Sequence, residues 1–115
     1  MTDQLSRAFA ALADPTRRDL VARLAADGDA TPGELGEPYA MSLQAISKHL
    51  KVLEEAGLVT RSVAGRRRPV HLEPGVFDLM TKWIERYRRE VEERYARLDA
   101  VLGSLEVDER ERGVS

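Results

Sequence analysis

The chain contains no cysteine among its 115 residues, which excludes disulfides, thiolate metal sites and cysteine nucleophiles. Aromatic residues make up only 5% of the sequence. No apolar run approaches the roughly 20 residues that a membrane-spanning helix needs. The first residues also lack the basic and then apolar pattern of a secretion signal. We therefore expect a cytoplasmic protein.

The net charge is only -2, and this value alone argues against a protein that binds nucleic acid. The distribution of charge argues the other way. Residues 42–72 carry six basic and two acidic side chains. In the rest of the chain, acidic side chains outnumber basic ones. A locally basic stretch on an acidic body is typical of a protein that presents one face to phosphates. A solvated basic loop is the alternative.

Capping signals predict four short helices in the first half of the chain. They begin at Asp3, at Asp14-Pro15, at Thr31-Pro32 and at Ser42. The fourth helix is predicted to run to Ala56 and to end at Gly57, a residue suited to helix termination. Arg17 and Arg18, in the second helix, are expected to be solvated or to pair with Asp14 and Asp19, with a phosphate contact as the alternative.

A β-hairpin is predicted after the fourth helix. Its strands are expected over Leu58 to Val63 and over Pro69 to Leu72, on either side of a basic tip. Two short helices joined by a three-residue turn, followed by such a hairpin, predict a winged helix-turn-helix. The fold class is therefore mainly α, with about five helices and a two-stranded wing.

The last helix is predicted to run from Pro74 to about Leu102, roughly 43 Å at 1.5 Å per residue. A body of this size is only about 30 Å across, so the chain cannot cover the whole apolar stripe of this helix. The stripe and the apolar face of the first helix therefore predict a homodimer interface, with a single buried core helix as the alternative. The predicted interface residues are Leu5, Phe9, Leu12, Met80, Ile84, Tyr87, Val91, Tyr95, Leu98 and Leu102. Residues 1–103 then form the domain, and residues 104–115 are expected to be a flexible tail.

The fourth helix has an apolar face predicted to lie in the core, formed by Ile46, Leu50 and Leu53. Its opposite face is small or polar in the first half, which suits a helix that enters the major groove of DNA. There Gln44 can pair with adenine, Ala45 can touch a thymine methyl group, and Lys48 can reach guanine or a phosphate. An ordinary amphipathic surface helix is the alternative.

Arginines 66 to 68 are predicted to lie at the tip of the wing, where a minor groove or the DNA backbone would be met. His49 lies about 60° from the core direction and is either structural or a phosphate contact, whereas His71 is expected to be structural. The predicted DNA contacts are Ser42, Gln44, Ala45, Ser47, Lys48, His49, Lys51, Arg66, Arg67 and Arg68.

Two other functions are weighed against DNA binding. The fourth helix could instead be a docking face in a winged-helix module for protein–protein interaction. An enzyme is not expected, because the sequence shows no supported pair of carboxylates, no glycine-rich phosphate loop and no Ser/His/Asp arrangement. No cofactor is expected.

Three segments, residues 9–18, 46–59 and 65–68, resemble the ArsR/SmtB family of bacterial winged-helix repressors. The resemblance covers about the first hundred residues. It implies a homodimer that binds a double-stranded DNA operator through residues 42–51 and the wing, with dimerisation by the first and last helices. A two-fold dimer would place its two recognition helices about 34 Å apart on a pseudo-palindromic site.

The chain departs from the metal-sensing members of that family. Those members resemble one another in a cysteine pair on the third helix or in an Asp/His set on the last helix. Here residues 33–36 contain no cysteine, and no histidine follows His71. The chain resembles the branch without either recognised metal site, so no metal is expected. Two alternatives remain for release from DNA. An unidentified small-molecule effector triggers it, or it needs no ligand.

Overall fold

Each of the first four helices begins at a side chain that accepts a backbone N–H. The computed structural model describes the backbone of residues 3–63 and 66–113 and the side chains of residues 3–63 and 66–107. The capped helices are α1 (Gln4–Leu12), α2 (Pro15–Asp27), α3 (Pro32–Gly36) and α4 (Leu43–Glu55). Their caps are Asp3, Asp14, Thr31 and Ser42, so all four predicted helix starts are confirmed.

The end of α4 leads directly into the hairpin. Gly57 has a φ of +78°, and the N–H of Leu58 donates to the carbonyl oxygen of Leu53 at 3.0 Å, as in a Schellman motif. Strand β1 (Val59–Arg61) pairs antiparallel with β2 (Val70–Leu72). The strands are shorter than predicted, because Leu58 belongs to the helix end and Pro69 has no N–H for the ladder.

The outer edge of β2 is tied to the connection between α2 and α3. The N–H of Val70 donates to the carbonyl oxygen of Ala30 at 2.7 Å, and Ala30 donates back at 3.3 Å. Beside this bridge, Nδ1 of His71 lies 2.5 Å from a carboxylate oxygen of Asp29. These contacts hold the base of the hairpin against the helical part, and they give His71 the structural role expected from the sequence.

One apolar core lies among the elements before Thr81. Its largest fully buried side chains are Leu20, Leu35, Ile46, Leu50, Leu53, Leu58, Val59 and Val70. Helix α1 contributes Ala8 and Ala11, two small residues that allow it to pack closely on α2 and α4. Of the apolar face singled out in the sequence, Leu5 and Leu12 are partly buried against this core, whereas Phe9 is 36% exposed.

The chain divides into two compact units, residues up to Met80 and residues from Thr81 onward. The boundary falls inside α5 (Pro74–Gly113), whose residues Val76 and Met80 belong to the core of the first unit. The predicted helix end near Leu102 is wrong, because α5 continues through Gly103. A single glycine costs about 1 kcal/mol relative to alanine in a helix, which is too little to end one by itself.

The described residues form five helices and one two-stranded antiparallel hairpin. This is the mainly α architecture that the sequence predicts, and the winged helix-turn-helix fold is confirmed. None of the helices within the described ranges is long and apolar enough to cross a membrane.

Candidate nucleic-acid interface

Helix α4 has one face in the core and the other in solvent. Its predicted core residues Ile46, Leu50 and Leu53 are completely buried. On the other side, Gln44 and Lys48 are exposed. The buried face fixes the orientation of the helix, so these two polar side chains are presented outward by a rigid element.

The first turn of α4 can hold an anion. The hydroxyl oxygen of Ser42 accepts the N–H of Ala45 at 3.1 Å, which leaves the hydroxyl proton of this exposed side chain to donate outward. Backbone N–H groups at a helix start carry partial positive charge, and they are a common site for a phosphate. Ala45 itself is half-buried, so only part of its methyl group faces solvent.

The remaining predicted contacts on α4 differ in exposure. Lys51 is exposed and lies three residues after Lys48 on the same side of the helix. Ser47 and His49 are half-buried. The exposed basic side chains of α4 are therefore its two lysines, at its middle.

Half-buried His49 belongs to a polar cluster between α2 and α4. Its Nδ1 atom lies 3.3 Å from Nη1 of Arg17 and 3.9 Å from Oδ2 of Asp14. The backbone N–H of Arg17 bonds to Asp14 and holds the pKa of this carboxyl below its ordinary value, and the positive charges of Arg17 and His49 act in the same direction. These contacts give His49 structural partners. A structural role is one of the two that the sequence suggests for this residue.

The side chains of Arg17 and Arg18 donate hydrogen bonds to the end of α1. Arg17 donates from Nε to the carbonyl oxygen of Ala11 at 2.6 Å, and Arg18 donates from Nη1 to the carbonyl oxygen of Leu12 at 2.8 Å. These contacts with backbone carbonyl groups were not predicted, whereas the exposure of Arg18 agrees with the expectation from the sequence. Both satisfy carbonyl groups that the helix end leaves without partners.

The wing carries the exposed arginines 66, 67 and 68, and Arg68 has a φ of +45°. The tip residues Ala64 and Gly65 lie outside the described residues. Nη2 of Arg67 lies 3.0 Å from Oε1 of Glu34, the residue that completes the capping box of α3. The hydroxyl and N–H of Thr31 lower the pKa of Glu34, and Arg67 lowers it further.

Acidic neighbours reduce the positive charge that the sequence suggests for this surface. Arg67 pairs with Glu34, and Nε of Arg61 lies 3.2 Å from Oε2 of Glu54. Both pairs include partly or largely exposed side chains, so water and salt screen them. A phosphate would have to compete with a carboxylate at Arg67.

Two exposed apolar residues at the start of α4 were not among the predicted contacts. Met41 is 40% exposed and Leu43 is 59% exposed, on either side of the N-cap Ser42. The signal that could have identified Leu43 is its position directly after a helix cap. It lies beside Gln44, on the end of the helix expected to meet DNA.

The predicted dimer residues other than Phe9, which is 36% exposed, fall into two groups. Met80 is 7% exposed and Leu5 and Leu12 pack against the core, so they offer little surface to a second copy. The predicted residues of α5 after Thr81 are between 42% and 62% exposed. They are Ile84, Tyr87, Val91, Tyr95, Leu98 and Leu102.

An apolar groove lies along this part of α5. Its lining includes Trp83, Tyr87, Val91 and Tyr95, and the rings of Trp83 and Tyr87 meet with centroids 4.8 Å apart.

Across the described residues, no group of three or more His, Asp or Glu side chains is arranged to hold a metal ion.

Comparison with known proteins identifies relatives of this chain. A model of a helix-turn-helix domain matches residues 12–62. The HTH-type transcriptional regulator Rv2034 of Mycobacterium tuberculosis is 41% identical over 92 residues, covering 80% of this chain and 85% of that protein. The crystal structure of the ArsR family transcriptional regulator RHA00566 superposes with a TM-score of 0.73 at 37% identity, covering 78% of this chain and 98% of that one.

A further structural relative is the homodimeric winged helix-turn-helix DNA-binding domain of Mb0332 from Mycobacterium bovis, solved by solution NMR. It has a TM-score of 0.61 and 26% identity, covering 76% of this chain and 81% of that one. Fold and relatives together define a winged helix-turn-helix, DNA-binding transcriptional regulator. The chain belongs to the ArsR family of transcriptional regulators.

Proposed function

We propose that this protein is a homodimeric repressor that binds a pseudo-palindromic operator. Helix α4 occupies the major groove, and the wing, residues 61–72, lies on the adjacent minor groove or on the phosphate backbone. The observation that carries the proposal is that α4 presents Ser42, Gln44 and Lys48 to solvent on a helix whose other face is locked in the core.

The side chains of α4 divide between positioning and base readout. Ser42 and the N–H groups behind it would hold a phosphate and so set the depth of the helix in the groove. Gln44 would form a bidentate pair with adenine, and Lys48 would reach guanine or a phosphate. Ala45, Ser47 and Lys51 complete this contact. His49 would touch the backbone only through its exposed edge.

The proposed dimer uses the exposed apolar stripe of α5 together with Phe9 of α1. A contiguous exposed apolar stripe such as that of α5 after Thr81 is typical of an interaction site. A two-fold dimer would set its recognition helices about one DNA turn apart, near 34 Å. The homodimeric state of the Mb0332 domain supports this arrangement.

Repression follows from occupancy. A dimer that covers two successive major grooves would exclude other proteins from the same stretch of promoter DNA. Exclusion of this kind requires no bound metal, and arsenic or zinc sensing is not proposed for this chain.

The experiment compares the wing with the recognition helix on operator and random duplexes. In the variant Arg66→Ala/Arg67→Ala/Arg68→Ala, affinity should fall equally for both duplexes. The slope of log affinity against log salt should become shallower by about 0.9 for each phosphate that the variant no longer neutralises. In Gln44→Ala, discrimination against the wrong base should fall by about 1 to 3 kcal/mol with little change in the salt slope.

The matched control is Arg86→Ala/Arg89→Ala/Arg97→Ala, which removes the same charge from the polar side of α5. Its salt slope should equal that of the unchanged protein. The proposal fails if the unchanged protein shows no preference among duplexes, or if both sets of arginines matter equally. A partner that binds α4 independently of salt, with no competition from DNA, would instead support the docking-module function.

A further inference from the structure

Leu43 is the most exposed apolar side chain of α4. It is 59% exposed, stands between Ser42 and Gln44, and takes no part in the buried core of the first unit. More than half of this leucine side chain gains nothing from burial in the folded chain. Its exposure therefore favours a contact outside the chain.

The direction of the side chain follows from helix geometry. Residues three apart lie near one another on a helix, so Leu43 lies one turn before Ile46, at the boundary between the buried and outward faces and about 100° around the axis from Gln44. Long side chains on helices point back toward the N-terminus. Leu43 therefore extends toward the end of α4 that would enter the groove first, next in the chain to the proposed reader Gln44.

The only apolar group that a base edge offers in the major groove is the C5-methyl of thymine. Ala45 was expected to touch this group, but its side chain is short and half-buried. Leu43 is longer and more exposed. We propose that Leu43 is a specificity-determining residue that contacts the methyl group of one thymine in each half-site. This inference rests on the proposed operator binding.

The test replaces single atoms on the DNA. First, in vitro selection from random duplexes with the full chain yields an operator. Each thymine of that operator is then replaced in turn by deoxyuridine, which removes the methyl group alone. At the thymine read by Leu43, uracil should weaken binding about fourfold for each half-site, which corresponds to about 0.8 kcal/mol for one buried methyl.

The same series is measured with Leu43→Ala and with Val52→Ala. At the position read by Leu43, the uracil effect should disappear in Leu43→Ala, since the two changes remove the same contact. Val52 is also an exposed apolar residue of α4, 38% exposed, but it lies nine residues later, about 13 Å along the axis. The uracil effect should persist in Val52→Ala.

The outcomes separate this inference from the proposed function. If operator binding is specific but no thymine responds to uracil, or if the response persists in Leu43→Ala, the role of Leu43 is overturned while the repressor remains. If selection returns no preferred sequence, both fail. Because Leu43 lies outside the core, the variant should unfold at the same urea concentration as the unchanged protein, which excludes misfolding as a cause.

Discussion

Up to Met80 most of the large apolar side chains pack against one another, with exceptions such as Leu43, whereas from Thr81 onward they lie on the surface. In the first unit leucines such as Leu20, Leu50 and Leu53 are completely buried. In the second unit Val91 and Leu98 are half exposed, although they recur with the same helical spacing. Identical residue types thus hold one unit together and cover the outside of the other.

The difference shows that helical periodicity indicates an apolar face without showing what covers it. Helices α1 to α4 are short and cover one another. Helix α5 extends from Pro74 to Gly113, and after Thr81 its apolar side chains are exposed within its own unit. A second copy is the partner that we propose for this face.

The largest expected effect tests burial in the first unit. Leu50→Ala should lower the free energy of unfolding by about 2 to 5 kcal/mol, because it removes packed methyl groups and leaves a cavity. Leu43→Ala makes the same change in the same helix at an exposed position and should alter stability by no more than about 0.5 kcal/mol. Urea unfolding followed by circular dichroism measures both. Equal losses of stability in the two variants would contradict the assigned burial.

The next effect tests the exposed stripe of the second unit. Val91→Glu should weaken self-association by about a hundredfold or more, because a dimer would have to bury a carboxylate without a partner, at a cost of several kcal/mol. Sedimentation over a range of protein concentrations measures the shift from dimer to monomer.

The matched control for this variant is Ala100→Glu. Residues 91 and 100 are nine positions apart, which places them on opposite sides of the helix at 100° per residue. Ala100→Glu should therefore leave self-association unchanged. The stripe is not the interface if both variants behave alike, or if the unchanged protein sediments as a monomer throughout.

Much of the fold could be predicted because its signals are local. A cap such as Thr31 with Glu34, or Gly57 after α4, is read from four or five neighbouring residues. The buried face of α4 was also predictable, since three residues at helical spacing determine it. These signals do not depend on how distant parts of the chain meet.

The features of the fold and of the site that could not be predicted depend on contacts between residues that are distant in the sequence, or on small energetic effects that oppose one another. Nothing in the local pattern joins Arg67 to Glu34, 33 residues earlier, or directs Arg17 to the end of α1. Ala8 and Ala11 of α1 are buried only because α2 and α4 pack on them. Leu43 was not predicted because it is an apolar residue between two polar ones, and its exposure depends on how α4 packs.

The smallest expected effect concerns the caps that begin the short helices of the first unit. The pKa of Asp14 is lower in the folded chain than in the unfolded one, where it is about 3.9, because the carboxylate accepts the N–H of Arg17. The unfolded state then binds more protons at low pH, so stability rises with pH through this range. The stability that the charged Asp14 side chain contributes is fully present above the unfolded pKa and is lost as pH falls through the folded pKa.

Asp14→Ser keeps a capping oxygen but cannot titrate, so below about pH 4 the stability of this variant should fall less steeply than that of the unchanged protein. Asp27→Ser removes the same charge from the other end of α2, and it should leave the slope contributed by Asp14 in place when urea unfolding is repeated at each pH.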